Sequence, residues 1–255
     1  MHKCICVVPV SAVRIEPSHR SEMTTQLLFG ERGSILARDG DWINIRCSFD
    51  NYEGWCLGSN FLSIPDVPFN VTNYKYAKNF INTIVVNDAV LVAPFGSDLS
   101  LFRKKKLGLR FTKLVSHTNT FKPLNKKPLK EQIRKLCYQF FNAPYLWGGK
   151  SVYGIDCSGL SQSVYRYLNI ALPRDAFQQA ERGTPVSSLK NSRCGDLCFF
   201  DNPDGKITHV GILLNKKTII HSSGKVRIDT ISEEGIINGD NGEQTHHLKL
   251  IKRFF

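Results

Sequence analysis

The chain has 255 residues, of which 42% are hydrophobic and 22% charged, so wholesale disorder is excluded and one large domain or two to three small ones are expected. No apolar run reaches the roughly 20 residues that a membrane span needs. The net charge of +12 favours acidic ligands. The densest basic run, at 103–106, has no interleaved aromatic side chains to stack bases, so we expect a solvated loop there and no nucleic-acid partner.

The eight cysteines are expected to be reduced and, with one exception, buried as small apolar side chains. A chain of this length does not need disulfide bonds to stabilise its core. Cys4-x-Cys6 and Cys194-x-x-x-Cys198 also lack the paired C-x-x-C spacing of a zinc ribbon. We therefore expect no bound metal and no cofactor.

Residues 1–64 predict a small all-β domain. Apolar segments recur about every 8 to 12 residues with Asp-Gly and Gly turns between them, a spacing typical of a small barrel or sandwich. These segments are 7–10, 12–15, 26–31, 35–37, 42–46, 52–56 and 61–62.

Residues 65–122 carry weaker strand signals. Short apolar segments at 82–92 and 107–115, with a turn at 94–97, are compatible with a second, degenerate barrel. The two prolines and the lysines of 121–128 predict a linker at the end of this region.

Residues 123–255 change character. Apolar residues recur at helical spacing in 129–141, and again in 160–168. Strands are predicted at 196–200, 209–214 and 218–221, with hairpin turns at 202–205 and 215–217. A helix packed on an antiparallel sheet is an α+β arrangement.

Cys157 is the exceptional cysteine, because it stands where a glycine-rich loop gives way to the second predicted helix. A helix N-terminus stabilises a thiolate and lowers the thiol pKa, and the thiolate is the nucleophilic form. Taken alone, a single cysteine is more often structural. The residues around it therefore decide its interpretation.

Two histidines supply a base for this thiol. His209 begins one predicted strand and His221, twelve residues later, ends the next. A three-residue loop at 214–216 would make them direct cross-strand partners, and any even shift in register would keep them on one face. In such a pair, His209 would deprotonate Cys157, while His221 would orient His209 and fix its tautomer.

Six short motifs follow one another in residues 145–224. They are Tyr145-x-Trp147-Gly148-Gly149, Asp156-Cys157-Ser158-Gly159, Pro173-Arg174-x-x-x-Gln178, Gly195-Asp196-Leu197-x-Phe199-Phe200, Thr208-His209-Val210-Gly211 and His221-Ser222-Ser223-Gly224. Together they resemble the NlpC/P60 family of papain-like cysteine peptidases of cell-wall peptides. Residues 1–64 resemble bacterial SH3 domains through Val13-Arg14-x-Glu16-Pro17-Ser18 and Gly54-Trp55.

The resemblance implies an α+β protein with a papain-like NlpC/P60 catalytic domain at 123–255 and an SH3-like domain at 1–64. The weak strand signals at 65–122 leave open whether one or two small SH3-like barrels precede the catalytic domain, the second being degenerate. Cys157 is then the nucleophile, His209 the base and His221 the third member of the triad. The Tyr145 hydroxyl would help the Cys157 backbone N–H to form the oxyanion hole. A core ring beside Pro144 is the structural alternative for Tyr145.

The family subgroup that joins SH3 modules to this domain acts on short released peptides with a free N-terminal L-Ala followed by γ-linked D-Glu. By this resemblance, an ammonium group in a closed site would need the carboxylates of Asp156 and Glu22, and Ser158 or Arg174 would bind the D-Glu carboxylate. A structural ion pair is an equal alternative for Arg174. The residues assigned to substrate binding are Asp156, Ser158, Trp147, Glu22, Tyr52 and Arg174.

The expected activity is hydrolysis of the bond between γ-D-Glu and a diamino acid, diaminopimelate or Lys, in peptidoglycan-derived peptides. The alternatives are a non-catalytic wall-binding SH3 protein and an amidase or acyl transferase on the same fold. The start of the chain has an apolar stretch without a cleavage site. This absence and the free thiols favour the cytoplasm, with export towards the anionic wall as the alternative.

Overall fold

The computed structural model describes residues 2–64, 74–86, 89–100, 119–124 and 127–255. The chain divides into two compact units, the first comprising Met1–Pro123 with Trp147–Tyr153 and the second Leu124–Leu146 with Gly154–Phe255. Residue 123, the expected start of the catalytic domain, is the last residue of Met1–Pro123, which belongs to the first unit. Among the described residues, no helix has the length and apolar character to cross a membrane.

The first unit begins with a sheet of seven described strands. In sheet order they are β3, β2, β6, β5, β4, β1 and β7, and their pairings are antiparallel. The bounds are β1 Lys3–Cys6, β2 Val10–Arg14, β3 Met23–Leu28, β4 Arg32–Asp39, β5 Trp42–Cys47, β6 Glu53–Leu57 and β7 Phe61–Ile64. The predicted all-β domain is confirmed. A strand was expected at 7–10, but only Val10 is in one, as the first residue of β2; Pro9 cannot donate to a ladder, and the chain turns at 7–9 between β1 and β2.

Alternation along β2, β5 and β6 buries one face of each of these strands. The buried side chains form a core cluster of Cys4, Cys6, Val13, Leu27, Ile43, Ile45, Cys47 and Cys56. Four of these eight core side chains are cysteines, and their thiols are free. They behave as apolar side chains, as expected.

The first unit has five more described strands. They are β8 Tyr76–Ala77, β9 Ile81–Val86, β10 Ala89–Pro94, β11 Thr120–Phe121 and β12 Lys150–Ser151. β9 pairs with β10, and β8 with β11, so Phe121 belongs to a strand and not to the predicted linker. The basic run at 103–106 and the strand predicted at 107–115 lie outside the described residues. The second barrel therefore stays a prediction.

The second unit combines three described helices with an antiparallel sheet. The helices are α1 Lys130–Tyr138, α2 Cys157–Tyr167 and α3 Ala176–Ala180. The strands are β13 Gly154–Ile155, β14 Thr184–Val186, β15 Leu197–Asp201, β16 Ile207–Leu213, β17 Thr218–Ser223, β18 Lys225–Ile231, β19 Gly235–Ile237 and β20 Gln244–Arg253. The predicted α+β class is confirmed.

The described strands β15 to β20 form a closed ring. Each pairs with the next along the chain, and β20 also pairs with β15. Buried apolar side chains cluster on these strands and on the adjoining segment at Leu189, and they are Leu189, Cys198, Phe200, Leu213, Ile219, Ile231, Ile236 and Ile251. Each large aliphatic side chain buried in this way contributes about 1.5–3 kcal/mol. The ring is thus a rigid support for polar side chains on the same strand faces.

Helix α2 packs against β16 and β17. Its N-cap is Asp156, whose Oδ1 accepts a hydrogen bond of 2.6 Å from the backbone N–H of Gly159 and so satisfies a helix-terminal donor. Every residue of α2 is buried. Cys194 is only half-buried, contrary to expectation, because it lies in the turn before β15 and not in a strand.

Candidate active site

Three side chains on neighbouring strands form a line of hydrogen bonds. Nε2 of His209 on β16 lies 2.9 Å from Nδ1 of His221 on β17. Nε2 of His221 lies 2.9 Å from Oδ2 of Asp229 on β18. All three side chains are buried. The two histidines predicted as a pair are therefore in direct contact.

Their register differs from the expected one. His221 pairs with Gly211, two residues beyond His209, so the histidines are diagonal neighbours and not direct partners. The loop is responsible, because Oδ1 of Asn215 accepts hydrogen bonds from the N–H groups of Lys217 and Thr218, which centres the turn on 216. The shift is even, so both imidazoles stay on one face.

Asp229 was not identified from the sequence. It is 4% exposed, and its Oδ1 accepts hydrogen bonds from Nη2 of Arg227 at 2.9 Å and from the N–H of Gly239 at 3.0 Å. Burial alone would raise the pKa of Asp229, but hydrogen bonds from His221, Arg227 and Gly239 outweigh burial and hold the pKa below its usual range. The carboxylate is therefore ionised. The signal available in the sequence was its place two residues beyond the strand partner of His221, on the same face.

An ionised Asp229 determines the tautomers along the line. A carboxylate only accepts, so Nε2 of His221 carries a proton, and in the neutral form of that ring Nδ1 is the acceptor. Nε2 of His209 must then be the donor, which leaves the lone pair of His209 on Nδ1. Burial, followed by the proximity of His221 and His246, lowers the pKa of His209 well below its usual range. The ring is neutral near pH 7, with a basic nitrogen available.

Cys157, the first residue of α2, lies beside β16. Its sulfur accepts hydrogen bonds from the backbone N–H groups of Val210 and Ser158. The expected lowering of its pKa is nevertheless wrong for the substrate-free protein. Burial, followed by the Asp156 carboxylate, raises the pKa of Cys157 to about 12 and outweighs both N–H donors. The resting pair is a neutral thiol and a neutral imidazole.

We expect alkylation of Cys157 by iodoacetamide to be slow at pH 7 and to rise about tenfold per pH unit up to about pH 9, because a thiol with a pKa of about 12 is a thiolate in about one molecule in 10⁵ at pH 7. Mass spectrometry of the peptide that contains Cys157 separates it from the other cysteines. His209→Ala protein should show the same slope. Rapid, pH-independent alkylation near pH 6 that His209→Ala abolishes would instead reveal a preformed thiolate–imidazolium pair.

Tyr145 lies close to this thiol. Burial, then the Cys157 thiol and the Asp156 carboxylate, raise the pKa of its phenol to about 12. The hydroxyl therefore keeps its proton at any physiological pH and remains a hydrogen-bond donor. The ring is 37% exposed, and its backbone is tied to Gly224 by an N–H···O bond of 2.9 Å. This position suits the oxyanion role predicted for it.

Asp156, Ser158 and Arg174 contact one another. Nη2 of Arg174 lies 2.5 Å from Oδ2 of Asp156, and Nη1 donates to Oδ1 of Asp156 at 3.0 Å and to the Ser158 hydroxyl at 2.8 Å. Arg174 is almost fully buried, so the pair joins the segment before α3 to the N-cap of α2. The structural ion pair considered for Arg174 is present. The substrate roles of all three stay predictions.

Glu22 and Trp147, both in the first unit, are hydrogen-bonded. Nε1 of Trp147 donates to Oε1 of Glu22 at 2.7 Å, and the indole is 60% exposed. Gly148, at φ +75°, allows the chain to pass Met23, whose carbonyl oxygen would lie 2.5 Å from a Cβ at 148. The hydrogen bond from the indole thus orients the Glu22 carboxylate. Tyr52, also predicted to bind substrate, packs against the core cluster of the first sheet.

A third imidazole joins the two paired histidines. The His246 ring, on β20, stacks on His209 with centroids 4.1 Å apart and planes 28° apart. Burial, then the proximity of His221, lowers the pKa of His246 to about 4, so this ring is also neutral. The ring nitrogens of His209, His221 and His246 lie within 4.8 Å of one another, a set that could hold a metal ion. His246 was not identified from the sequence, because its position depends on the closure of the ring by β20.

Two parts of the chain match known families. Residues 142–240 match the NlpC/P60 family, and residues 13–59 match the bacterial dipeptidyl-peptidase Sh3 domain. Over 231 residues the chain is 29% identical to gamma-D-glutamyl-L-lysine dipeptidyl-peptidase from Bacillus subtilis, covering 82% of this chain and 76% of that protein. It is 23% identical to dipeptidyl-peptidase 6 from Lysinibacillus sphaericus, covering 90% of this chain and 92% of that protein.

A solved structure shows the same fold. The crystal structure of an NlpC/P60 family protein from Bacillus cereus matches with a TM-score of 0.81, covering 98% of this chain and 99% of that chain at 17% identity.

Proposed function

We propose that this chain, which contains an NlpC/P60 peptidase-family domain preceded by a bacterial SH3 domain, is a cysteine peptidase that cleaves the bond between γ-D-Glu and a diamino acid in peptidoglycan-derived peptides. The observation that carries the proposal is the hydrogen-bonded line from His209 through His221 to Asp229, beside Cys157 at the start of α2. Two relatives carry the name gamma-D-glutamyl-L-lysine dipeptidyl-peptidase, and this name supports the proposed substrate class.

The geometry supports a general-base mechanism. Nδ1 of His209 takes the proton of the Cys157 thiol as the sulfur attacks the scissile carbonyl carbon, so the thiolate forms only when it is consumed. The imidazolium of His209 is stabilised through Nε2–H by His221, whose other nitrogen is held by ionised Asp229. His209 then returns the proton to the amine of the leaving diamino acid. Water, deprotonated by the same nitrogen, hydrolyses the thioester.

The oxyanion needs donors that do not ionise. The Tyr145 hydroxyl remains protonated because its pKa is raised. The backbone N–H of Cys157, at the N-terminus of α2, adds a second donor with the positive end of the helix dipole. Both act on charge that exists only in the tetrahedral intermediate, so they lower the barrier and not merely the KM.

We further propose that the substrate carries a free N-terminal L-Ala. Of the two carboxylates predicted to bind the ammonium group, Glu22 accepts a hydrogen bond from the Trp147 indole, whereas Asp156 is already neutralised by Arg174. Glu22 is therefore the stronger candidate for the ammonium partner. Such specificity would suit turnover of released wall peptides, and we propose the cytoplasm as its location.

The test compares L-Ala-γ-D-Glu-L-Lys with its N-acetylated form, with products identified by mass spectrometry. We expect release of Lys from the free peptide, and a kcat/KM for the acetylated peptide lower by roughly 30-fold or more, because acetylation removes the charge that Glu22 would pair, and a carboxylate left unpaired beneath the bound peptide costs about 2–5 kcal/mol. Glu22→Gln should lower kcat/KM for the free peptide, so the ratio of kcat/KM between the free and the acetylated peptide should become smaller. Glu16→Gln, on the same exposed loop, is the matched control.

Other outcomes would reject parts of the proposal. Equal turnover of both peptides would remove the free-amine requirement and the role of Glu22. Release of intact peptide from a sugar-linked muropeptide would identify an amidase. Retention on insoluble wall with no released product would identify a wall-binding protein.

A further inference from the structure

The stacked imidazole of His246 has no part in the proposed hydrolysis, yet it lies against the proposed base. His246 comes from β20, while His209 and His221 come from β16 and β17. The three rings contact one another in pairs, with centroid distances of 4.1 Å, 5.1 Å and 5.6 Å. The proposed hydrolysis needs only one base and one orienting ring, so it gives the third imidazole no role.

The donor nitrogens are close to the spacing that one metal ion imposes. Two nitrogens bound to the same zinc ion lie about 3.4 Å apart, from Zn–N distances of about 2.0–2.1 Å and tetrahedral angles. The three ligand nitrogens here lie within 4.8 Å of one another. Movements of about 1 Å by side chains on a rigid ring of strands would complete the coordination.

Hydrogen bonds to the far sides of two rings already orient the donors. Histidine ligands usually donate their second N–H to a carboxylate or another oxygen, which fixes the ring and its tautomer. Nε2 of His221 is bonded to Asp229 at 2.9 Å, so its Nδ1 points into the cluster. Nδ1 of His246 is hydrogen-bonded to the Thr245 hydroxyl at 2.8 Å, which leaves Nε2 of His246 as the nitrogen that would bind a metal ion. These contacts are what a metal site requires beyond its ligands.

We propose that His209, His221 and His246 form a binding site for a borderline divalent transition-metal ion of the zinc class, with water at the fourth position, and that the bound ion inhibits the enzyme. The inhibition rests on the proposed peptidase function, whereas the binding does not. Neutral imidazoles prefer zinc, copper and nickel to magnesium or calcium, which take oxygen ligands.

The inhibition follows from the tautomers. In the metal-free protein Nε2 of His209 carries the proton and Nδ1 holds the lone pair. A metal ion on Nε2 requires the lone pair there, so the proton moves to Nδ1. No proton is lost or gained in this exchange, but Nδ1 can no longer accept the proton of Cys157. The ion would thus disable the base while leaving the Cys157 sulfur uncoordinated.

The binding test titrates zinc against a chromophoric chelator with wild-type protein, His246→Phe, His247→Ala and Cys157→Ala. Phenylalanine keeps the stacked ring but removes the ligand nitrogen, so we expect the zinc affinity of His246→Phe to fall by at least the roughly 10- to 100-fold that loss of an outer hydrogen-bonding partner causes. His247 is the matched control, since it is the next residue and its exposed ring bonds to Asp201 instead. His247→Ala and Cys157→Ala should bind zinc as the wild type does.

Cobalt provides a second reading of the ligands. Co²⁺ in the site should show ligand-field bands without thiolate charge transfer, and His246→Phe should lose them. Equal zinc affinity of wild-type and His246→Phe protein, loss of binding in Cys157→Ala, or no binding by the wild type would each overturn the site. Circular dichroism of each variant confirms that a lost site is not a lost fold.

The inhibition test measures tripeptide hydrolysis against free zinc. Zinc should inhibit the wild type and His247→Ala alike, and a chelator should restore activity. His246→Phe should need at least roughly 10- to 100-fold more zinc for the same inhibition. Magnesium should have no effect. If the tripeptide is not cleaved at all, the proposed function fails while the chelator titration still decides the metal site. Equal inhibition of wild type and His246→Phe would reject the inhibitory role.

Discussion

Replacing Cys157 by alanine is expected to lower kcat/KM for the tripeptide by roughly 10⁴- to 10⁶-fold, and His209→Ala is expected to have a similar effect. The sulfur forms the thioester, and without Nδ1 of His209 no group takes its proton, since the pKa of Cys157 is raised to about 12. Because both residues act in one step, the double variant should be little worse than either single variant. Single-turnover measurements with the purified tripeptide provide the values.

The matched controls are Cys194→Ala and His247→Ala. Cys194 is a half-buried thiol in the turn before β15, and His247 is an exposed imidazole on β20. Neither substitution should change kcat/KM by more than about twofold, as is usual for surface positions. Thermal unfolding should show that Cys157→Ala and His209→Ala proteins remain folded. Hydrolysis that persists in Cys157→Ala protein would reject a cysteine nucleophile.

The strand periodicity predicted the histidine pair but not its register. Periodicity of two places His209 and His221 on a common face for every even register. The choice among those registers depends on the side chain of Asn215, which caps the turn through two hydrogen bonds. Gly211 then lies opposite His221, and a Cβ there would be 3.1 Å from the Cβ of His221. Contacts of this kind depend on the positions of individual atoms, which the alternation of apolar and polar residues does not reveal.

Closure of the ring brings His246 to the pair, and no local pattern predicts it. β20 follows β16 by some thirty residues and pairs with β15 and β19 on its two sides. The order of strands in a closed ring is a long-range property, which the alternation of a single strand does not contain.

The electrostatics of Cys157 were predicted with the wrong sign. A helix N-terminus does favour the thiolate, and the N–H groups of Ser158 and Val210 act in that direction. Burial is larger, and sequence position alone does not report it. The Asp156 carboxylate, which caps the same helix, adds repulsion that the nearby Arg174 only partly offsets. Asp156 thus caps the N-terminus of α2 and also disfavours the Cys157 thiolate, the anion that this helix N-terminus would stabilise.

Replacing Asp229 by asparagine is expected to lower kcat by roughly 10- to 100-fold with little change in KM. Its Oδ1 accepts from Arg227 and Gly239, so the asparagine oxygen would take that place and the amide NH₂ would face His221. Nε2 of His221 would then accept, and its proton would move to Nδ1. His209 would have to accept at Nε2 and carry its proton on Nδ1, where the Cys157 proton must go.

Asp240→Asn is the matched control, because it removes the same charge from an exposed carboxylate 2.9 Å from Nη1 of Arg227 and leaves the proposed tautomers unchanged. Its kcat should stay within about twofold of the wild type. Nitrogen-15 NMR of the imidazoles offers a direct reading: protonation should change from Nε2 to Nδ1 in both His209 and His221 of Asp229→Asn, and in neither of Asp240→Asn. If Asp229→Asn keeps the wild-type tautomers and rate, Asp229 serves the fold alone and His209 needs no partner beyond His221.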